Sequence, residues 1–309
     1  MSSPKLITIF GATGNQGRSV ALSLLGNKAG AFRVRAITRN PDSDGAKALT
    51  QAGAEIFKAD GTARDLMVAA FAGSWGAFVN TNGDDPALDE PGHPSEVDIG
   101  KIVVDAAAEA GVKHIVYSGM VSSTEVTKGK YTAQAFDNKN TVGRYASSKT
   151  EFETVNIVSP GNYMENFLIE ELAGIFGHPY IAIGDDYGDL VHGVLLDPAK
   201  YNGQLVQGFS QSIKPGDALK NFEEVTGKKA RYVPMESLDD LQTYGMRALE
   251  TVKSVFGFCQ ASGGNYYGLP NDAAPAAQLK KAAAEAQGKS GSETELLTIK
   301  EFFKRHFAS

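Results

Sequence analysis

Hydrophobic and polar positions divide the chain into two regimes. Over roughly the first 160 residues, short apolar runs alternate with segments in which apolar residues recur at helical spacing. The runs lie at 6–10, 34–38, 54–57, 77–79, 115–117 and 155–158. They are nearly continuous rather than alternating, which is the pattern of strands covered on both faces, as in parallel sheets. The clearest intervening helix is 96–111: Ile99, Ile102, Val103, Ala106 and Ala110 form one stripe, and Gly111 supplies a stop. Repeated strand–helix–strand units require right-handed crossovers, so the pattern predicts an α/β fold built on a doubly wound parallel sheet.

Beyond residue 160 the rhythm changes. A strand is predicted at 204–208 and a helix at 215–227, with proline in its first turn and glycine just past its end. A second helix is predicted over 237–258. The stretch 271–293 is rich in Ala, Lys, Gly and Ser with little to bury, and reads as an exposed helix followed by a mobile linker. The pattern at 296–307 is again amphipathic and predicts an element that docks back on the body. The expected organisation is a dinucleotide-binding domain over 1–160 and a substrate or partner domain over 161–309, with return of a strand to the first domain as an option.

Composition narrows the function classes. Of 309 residues, 42% are apolar and 21% charged, and 30 basic against 36 acidic side chains leave a net charge of −6. With no cluster of Lys or Arg, direct nucleic-acid binding is not expected. A single cysteine, Cys259, excludes an internal disulfide and a thiolate zinc cage. The five histidines (His93, His114, His178, His192 and His306) have no i,i+4 pair, so no metal site is expected. The apolar runs fall far short of the roughly 18 residues that span a bilayer, and no export signal is visible. The expected setting is the cytoplasm, with the nucleus as an alternative, and no membrane partner.

The strongest chemical signal is Gly11-Ala-Thr13-Gly14-Asn15-Gln16-Gly17, which follows the first strand and opens the first helix. In a dinucleotide site Gly11 makes the tight turn, Gly14 lets the backbone approach the pyrophosphate, and Gly17 brings helix and strand together. The helix N-terminus then offers free N–H groups and a positive dipole end. A plain strand-to-helix turn is the simpler alternative. The end of the second strand selects the dinucleotide. NAD sites place an acid there for the ribose 2′-hydroxyl, whereas this chain has Ile37-Thr38-Arg39-Asn40. Arg39 can hold a 2′-phosphate by forked, charge-assisted bonds, which favours NADP(H); alternatively it is a solvated charge that pairs with Asp42. Asp60-Gly61, Thr81-Asn82 and Ser118 end further strands, where such sheets bind ligands.

Taken with Thr38-Arg39-Asn40-Pro41, Phe136-Asp137-Asn138-Lys139 and Ser159-Pro160-Gly161-Asn162-Tyr163-Met164-Glu165-Asn166-Phe167, these features resemble the NmrA-like family, atypical members of the short-chain dehydrogenase/reductase superfamily. The resemblance extends through Asn202-Gly203, 225–229 and Phe302-Phe303. It implies a Rossmann domain that binds NADP(H), with a smaller C-terminal α/β domain over the cleft. Members divide between NADPH-dependent reductases and redox sensors that act on a protein partner.

Reductases of the wider superfamily use a Tyr-x-x-x-Lys pair, and Tyr145-Ala-Ser-Ser-Lys149 has that form. Its position argues against it. Pro160 lies only eleven residues after Lys149, too few for three helical turns, a connection and a strand. Lys139 lies twenty-one residues before Pro160, and is the better catalytic and ribose-holding lysine. Four residues before it stands Ala135 rather than tyrosine, which removes the usual proton donor; Tyr131 is a weak substitute. The polar segment 120–135 reads either as a cap over the nicotinamide or as a mobile surface loop. The resemblance further implies that Pro160 and Tyr163 close the cofactor cleft, while Met164 and Phe167 read as core. Two functions follow: an NADPH-dependent reductase of a small carbonyl, quinone or unsaturated substrate, or a non-catalytic NADP(H) sensor.

Overall fold

The computed structural model describes residues 3–169 and 179–308. Of the segment expected to form a second domain, 170–178 and 309 lie outside the described residues. The first half of the chain alternates as its pattern predicts. The elements are β1 (Lys5–Phe10), α1 (Asn15–Leu25), β2 (Phe32–Thr38), α2 (Asp44–Gln51), β3 (Glu55–Lys58), α3 (Arg64–Phe71), β4 (Gly76–Val79), α4 (Glu96–Glu109) and β5 (His114–Tyr117). A short α5 (Ser123–Val126), then α6 (Gln134–Ser147) and β6 (Thr154–Pro160), complete this half. Next come β7 (Asn162–Tyr163), β8 (Tyr180–Ile181), a π-helical turn (Ile183–Tyr187) and α7 (Gly188–Leu196). The chain then returns to the sheet as β9 (Leu205–Gly208) and ends with α8 (Pro215–Thr226), α9 (Arg247–Ala261), α10 (Ala274–Ala286) and α11 (Ile299–Phe307).

Seven strands form one parallel sheet in the order β3-β2-β1-β4-β5-β6-β9. Apolar side chains lie on both of its faces, as continuous strand runs require. One face packs on α1, α2, α7 and α10 through Ile7, Leu24, Leu49, Leu190 and Leu279. The other packs on α3, α4 and α6 through Met67, Phe71, Val103 and Val142. Strand order reverses at β1, so the crevice at the carboxyl ends of β1 and β4 is the topological switch point where such sheets hold ligands.

The second half departs from expectation in two places. The helix predicted over 237–258 begins only at Arg247. Ser237 and Asp240 cap each other around a single 3₁₀ turn, and the backbone at Tyr244 and Gly245 then passes through positive φ, which ends any continuous helix. The stretch 271–293 is not an exposed helix with a linker. Ala276, Leu279, Lys280, Ala283 and Ala284 of α10 are buried against α7. Small residues permit the close approach: a Cβ on Gly193 would lie 2.6 Å from the Leu279 carbonyl. By contrast, α11 docks as its amphipathic pattern predicts, burying Ile299, Phe302 and Phe303 beside Met164 and Phe167. Among the described residues no helix is long and apolar enough to cross a membrane.

Candidate functional site

The turn from β1 into α1 is set by backbone geometry. Gly11 has φ of +80°, and a Cβ there would lie 2.8 Å from the Asn80 carbonyl. A Cβ on Gly17 would lie 2.2 Å from the Gly11 carbonyl, so the first turn of α1 can sit this close to the strand only without a side chain. Gly14 differs: its nearest neighbour would be the Gly11 carbonyl at 3.5 Å. An added side chain would therefore meet protein at Gly11 and Gly17 but not at Gly14, and of the three Gly11 and Gly14 border the cleft. The first N–H groups of α1 follow directly, and a helix leaves these without intrahelical partners.

This turn forms one wall of a cleft of about 570 Å³. Gly11, Thr13, Gly14, Asn15, Gln16, Arg39, Asp60, Gly61, Thr81, Asn82, Lys139 and Tyr163 all line it. Gly17, Ser118 and Pro160 do not. Gly17 is packed beneath Gly11, Ser118 is wholly buried, and Pro160 stands opposite Gly208 in the sheet. The cleft also gathers residues that the sequence reading did not single out, notably Asn80, Asp84, Asp85, His93 and Glu96. A signal for most of them was present: the polar run 80–85 follows a buried strand without interruption.

Lys139 lies in the second turn of α6 and points back to the end of β4. Its Nζ donates to the Thr81 carbonyl at 2.8 Å, to Thr81 Oγ1 at 3.2 Å and to Asn80 Oδ1 at 3.3 Å. Glu96 Oε1 is 3.3 Å away and accepts from Thr81 Oγ1 at 2.7 Å. Glu96 is buried at the first position of α4, where the helix dipole favours a carboxylate. Tyr117 lies below with its hydroxyl 3.2 Å from Thr81 Oγ1, and burial holds its phenol well above the ordinary value. The lysine is thus fixed on three sides.

Opposite, Gln16 Nε2 donates to the Tyr163 hydroxyl at 2.5 Å, joining the start of α1 to the segment after β6. Burial pushes the Tyr163 phenol up to about 12, against the lowering effect of the Gln16 bond. Among the described residues, Gln16 Oε1 is a buried acceptor with no hydrogen-bond partner. At the far end of the cleft, Arg39 pairs with Asp85 at 2.8 Å rather than with Asp42. Burial of Asp60 raises its pKa, but the Thr62 N–H and hydroxyl bonds, with Arg39 and His93 nearby, hold the carboxyl below its usual value.

Tyr145 and Lys149 lie outside the cleft. The Tyr145 hydroxyl donates to Asp105 at 2.8 Å, and Lys149 Nζ is 2.5 Å from the same carboxylate, which holds the ammonium well above its ordinary pKa. Residues 120–135 do not line the cleft either. Their hydroxyls are used internally: Ser122, Ser123 and Thr124 donate to Asp137. Those bonds hold the Asp137 carboxyl low although its burial acts the other way. Tyr131 packs on Gly257 of α9, where a Cβ would lie 2.0 Å from its hydroxyl.

The model of the NmrA-like family matches residues 3–173. Among curated proteins, the chain is 44% identical over 333 residues to "NmrA-like family domain-containing oxidoreductase FrzB" of Cladobotryum sp, covering 98% of each. Among solved structures it is similar to NmrA, a negative transcriptional regulator, in complex with NADP: TM-score 0.75, 21% identity, 99% of this chain and 96% of the other. It is also similar to an NADPH-dependent quinone oxidoreductase from Escherichia coli complexed with NADPH: TM-score 0.68, 20% identity, 97% of this chain and 99% of the other. The two structural likenesses concern the fold.

Proposed function

The chain belongs to the NmrA-like family, and from that premise we propose that it is an NADPH-dependent reductase of a small carbonyl, quinone or unsaturated substrate. The observation that carries this reading is the single cleft that holds the glycine turn, the Arg39 guanidinium and the Lys139 ammonium along one line of strand ends. The residues present suit the cofactor. The turn is closed behind Gly11 and Gly17 and open at Gly14, and the buried Gln16 Oε1 still has an acceptor to offer.

The cofactor supplies a hydride to an electrophilic carbon. The N–H groups of the turn and of the α1 N-terminus would hold its pyrophosphate. Arg39 would take the 2′-phosphate, Asp60-Gly61 would flank the adenine, and Thr81-Asn82 would meet the ribose side. Lys139 would hold the nicotinamide ribose and contribute positive charge where the substrate gains electron density. Pro160 and Tyr163 would bound the carboxamide end. Four residues after Tyr163 stands Phe167 rather than lysine, so it is not the tyrosine of a Tyr-x-x-x-Lys pair, and burial raises its phenol rather than activating it. With Ala135 in the usual donor position, the proton would be delivered by water or by a group other than that tyrosine.

The same absence of a tyrosine favours the second reading, a sensor that binds NADP(H) and reports to a protein partner. The two are separated by spectrophotometry at 340 nm with quinones, aldehydes and imines. A reductase oxidises NADPH steadily, and Lys139→Ala lowers that rate at least about a hundredfold. A sensor turns over none of the panel and binds the oxidised and reduced forms with different affinities. Arg39→Glu tests the cofactor directly: NADPH affinity falls far more than NADH affinity, and equal losses refute the assignment of Arg39.

A further inference from the structure

The Arg39 guanidinium already has an anionic partner. Its Nη1 lies 2.8 Å from Asp85 Oδ2; the arginine is 62% exposed and the aspartate only 18%. The carboxylate is held in place. Its other oxygen accepts the Ala87 N–H at 3.1 Å, capping a 3₁₀ turn at Pro86–Asp89. The loop around it is tied to α9 on both sides, by Thr251 Oγ1 donating to Asp84 at 3.0 Å and by an Arg247–Asp89 ion pair. Arg39 stands on the end of a sheet strand, whereas Asp85 belongs to a loop that reaches the cleft from across the switch point.

We propose that Asp85 competes with the ligand's 2′-phosphate for Arg39, and so sets how strongly the site prefers a phosphorylated dinucleotide. The inference rests on the reading that Arg39 receives that phosphate. A phosphate that engages the guanidinium must displace the carboxylate or sit beside it against like charge, and the tethers keep the carboxylate close. Unphosphorylated dinucleotide meets no such competition. The pair therefore lowers NADP(H) affinity while leaving NAD(H) affinity nearly untouched.

Calorimetry of the full chain with NADP⁺ and NAD⁺ tests this. Asp85→Asn removes the charge but keeps an acceptor for the Ala87 N–H. It should tighten NADP⁺ binding by about three- to tenfold and change NAD⁺ binding by less than about twofold. Asp85→Ala should give the same selective gain. An unchanged NADP⁺ affinity in Asp85→Asn overturns the proposal, as does an equal gain for NAD⁺ or a gain confined to Asp85→Ala, which would be a loop effect. Arg39→Gln measured alongside tests the underlying reading. If it weakens NADP⁺ and NAD⁺ alike, Arg39 is not the phosphate residue; if it weakens NADP⁺ selectively while Asp85→Asn is silent, only the competition is wrong.

Discussion

The glycine turn separates folding from binding at the level of single side chains. Gly17 faces the Gly11 carbonyl, where an added methyl would meet backbone at 2.2 Å; Gly14 faces the cleft, where the nearest atom would be 3.5 Å away. Gly17→Ala should therefore cost about 2–3 kcal/mol of stability in urea unfolding, because backbone must move to admit it. Gly14→Ala should cost about 1 kcal/mol or less, and weaken NADP(H) binding more than tenfold by filling the space where the backbone must be approached. Similar stabilities for the two variants would contradict this division. That Gly17 brings helix and strand together was legible in the spacing; how little room it leaves, against the open position at Gly14, comes only from the folded backbone. Lys139 was better specified, because the distance from Pro160 left it as the lysine early on α6, and the structure places it on that helix and in the cleft. Its partner Glu96 was not foreseen. A buried acid at a helix start looks like any first-turn carboxylate until Thr81 and Lys139 are brought against it in space.

Among the elements, the seam between α1, α7 and α10 is the least visible in the sequence. Alanine and lysine suggested a solvated α10, yet its Lys280 is buried and donates to Asp189 at 2.7 Å, and Gln287 just beyond the helix donates to Ser23 at 3.0 Å. What periodicity cannot reveal is that small residues on α7 let α10 come close enough to bury its own short side chains. His192 lies in this seam. Asn27 Nδ2 is 3.1 Å from Nε2, and the Asn27 carbonyl oxygen is committed to the Ala29 and Ala31 N–H groups, so Nε2 must accept. Nδ1 then carries the proton and donates to Ser23 Oγ at 3.0 Å. The imidazole is neutral, and burial pushes its pKa down to about 4 from an ordinary 6.5, against the opposing effect of Asp189. The unfolded chain takes up this proton as pH falls through 6.5, whereas the folded chain does not until about 4, so the linked stability is lost as pH falls across that window. The loss approaches about 3 kcal/mol at its acid end, at roughly 1.4 kcal/mol per pH unit. Urea unfolding from pH 7.5 to 4.5 should show a shallower pH slope for His192→Gln than for the unaltered protein, whatever the absolute stability of the variant. Parallel slopes would mean that the imidazole does not titrate in this way.

At the scale of the whole molecule, the cleft draws on distant parts of the chain, which explains the uneven reading of it. Apolar strand runs and the glycine turn are local, so the parallel sheet and the strand ends that bear the cleft were legible, whereas the strand order that sets the switch point was not. The Asp85 loop, its anchors on α9 and the support behind Tyr163 arise only from long-range packing. Tyr163 itself packs against the cluster of α1 and α7, and the C-terminal helix backs the residues that follow it, Met164 and Phe167. Phe303 packs edge-on against Phe167 and Phe222 at 5.2 and 5.6 Å, in the same cluster as Met164, which directly follows Tyr163. Tyr163 in turn receives the Gln16 bond at the opening of α1. Removing the Phe303 ring should thus act twice. Phe303→Ala should cost about 3–4 kcal/mol of stability, as a large buried aromatic truncation does. It should also weaken NADP(H) binding several-fold under conditions where the variant is still folded, because the segment holding Tyr163 loses its backing. Phe307, half-buried one turn later against Phe222, provides the comparison. Phe307→Ala should cost about 1–2 kcal/mol and leave the dinucleotide affinity unchanged. If both variants bind NADP(H) as the unaltered protein does, the C-terminal helix stabilises the fold without shaping the cleft.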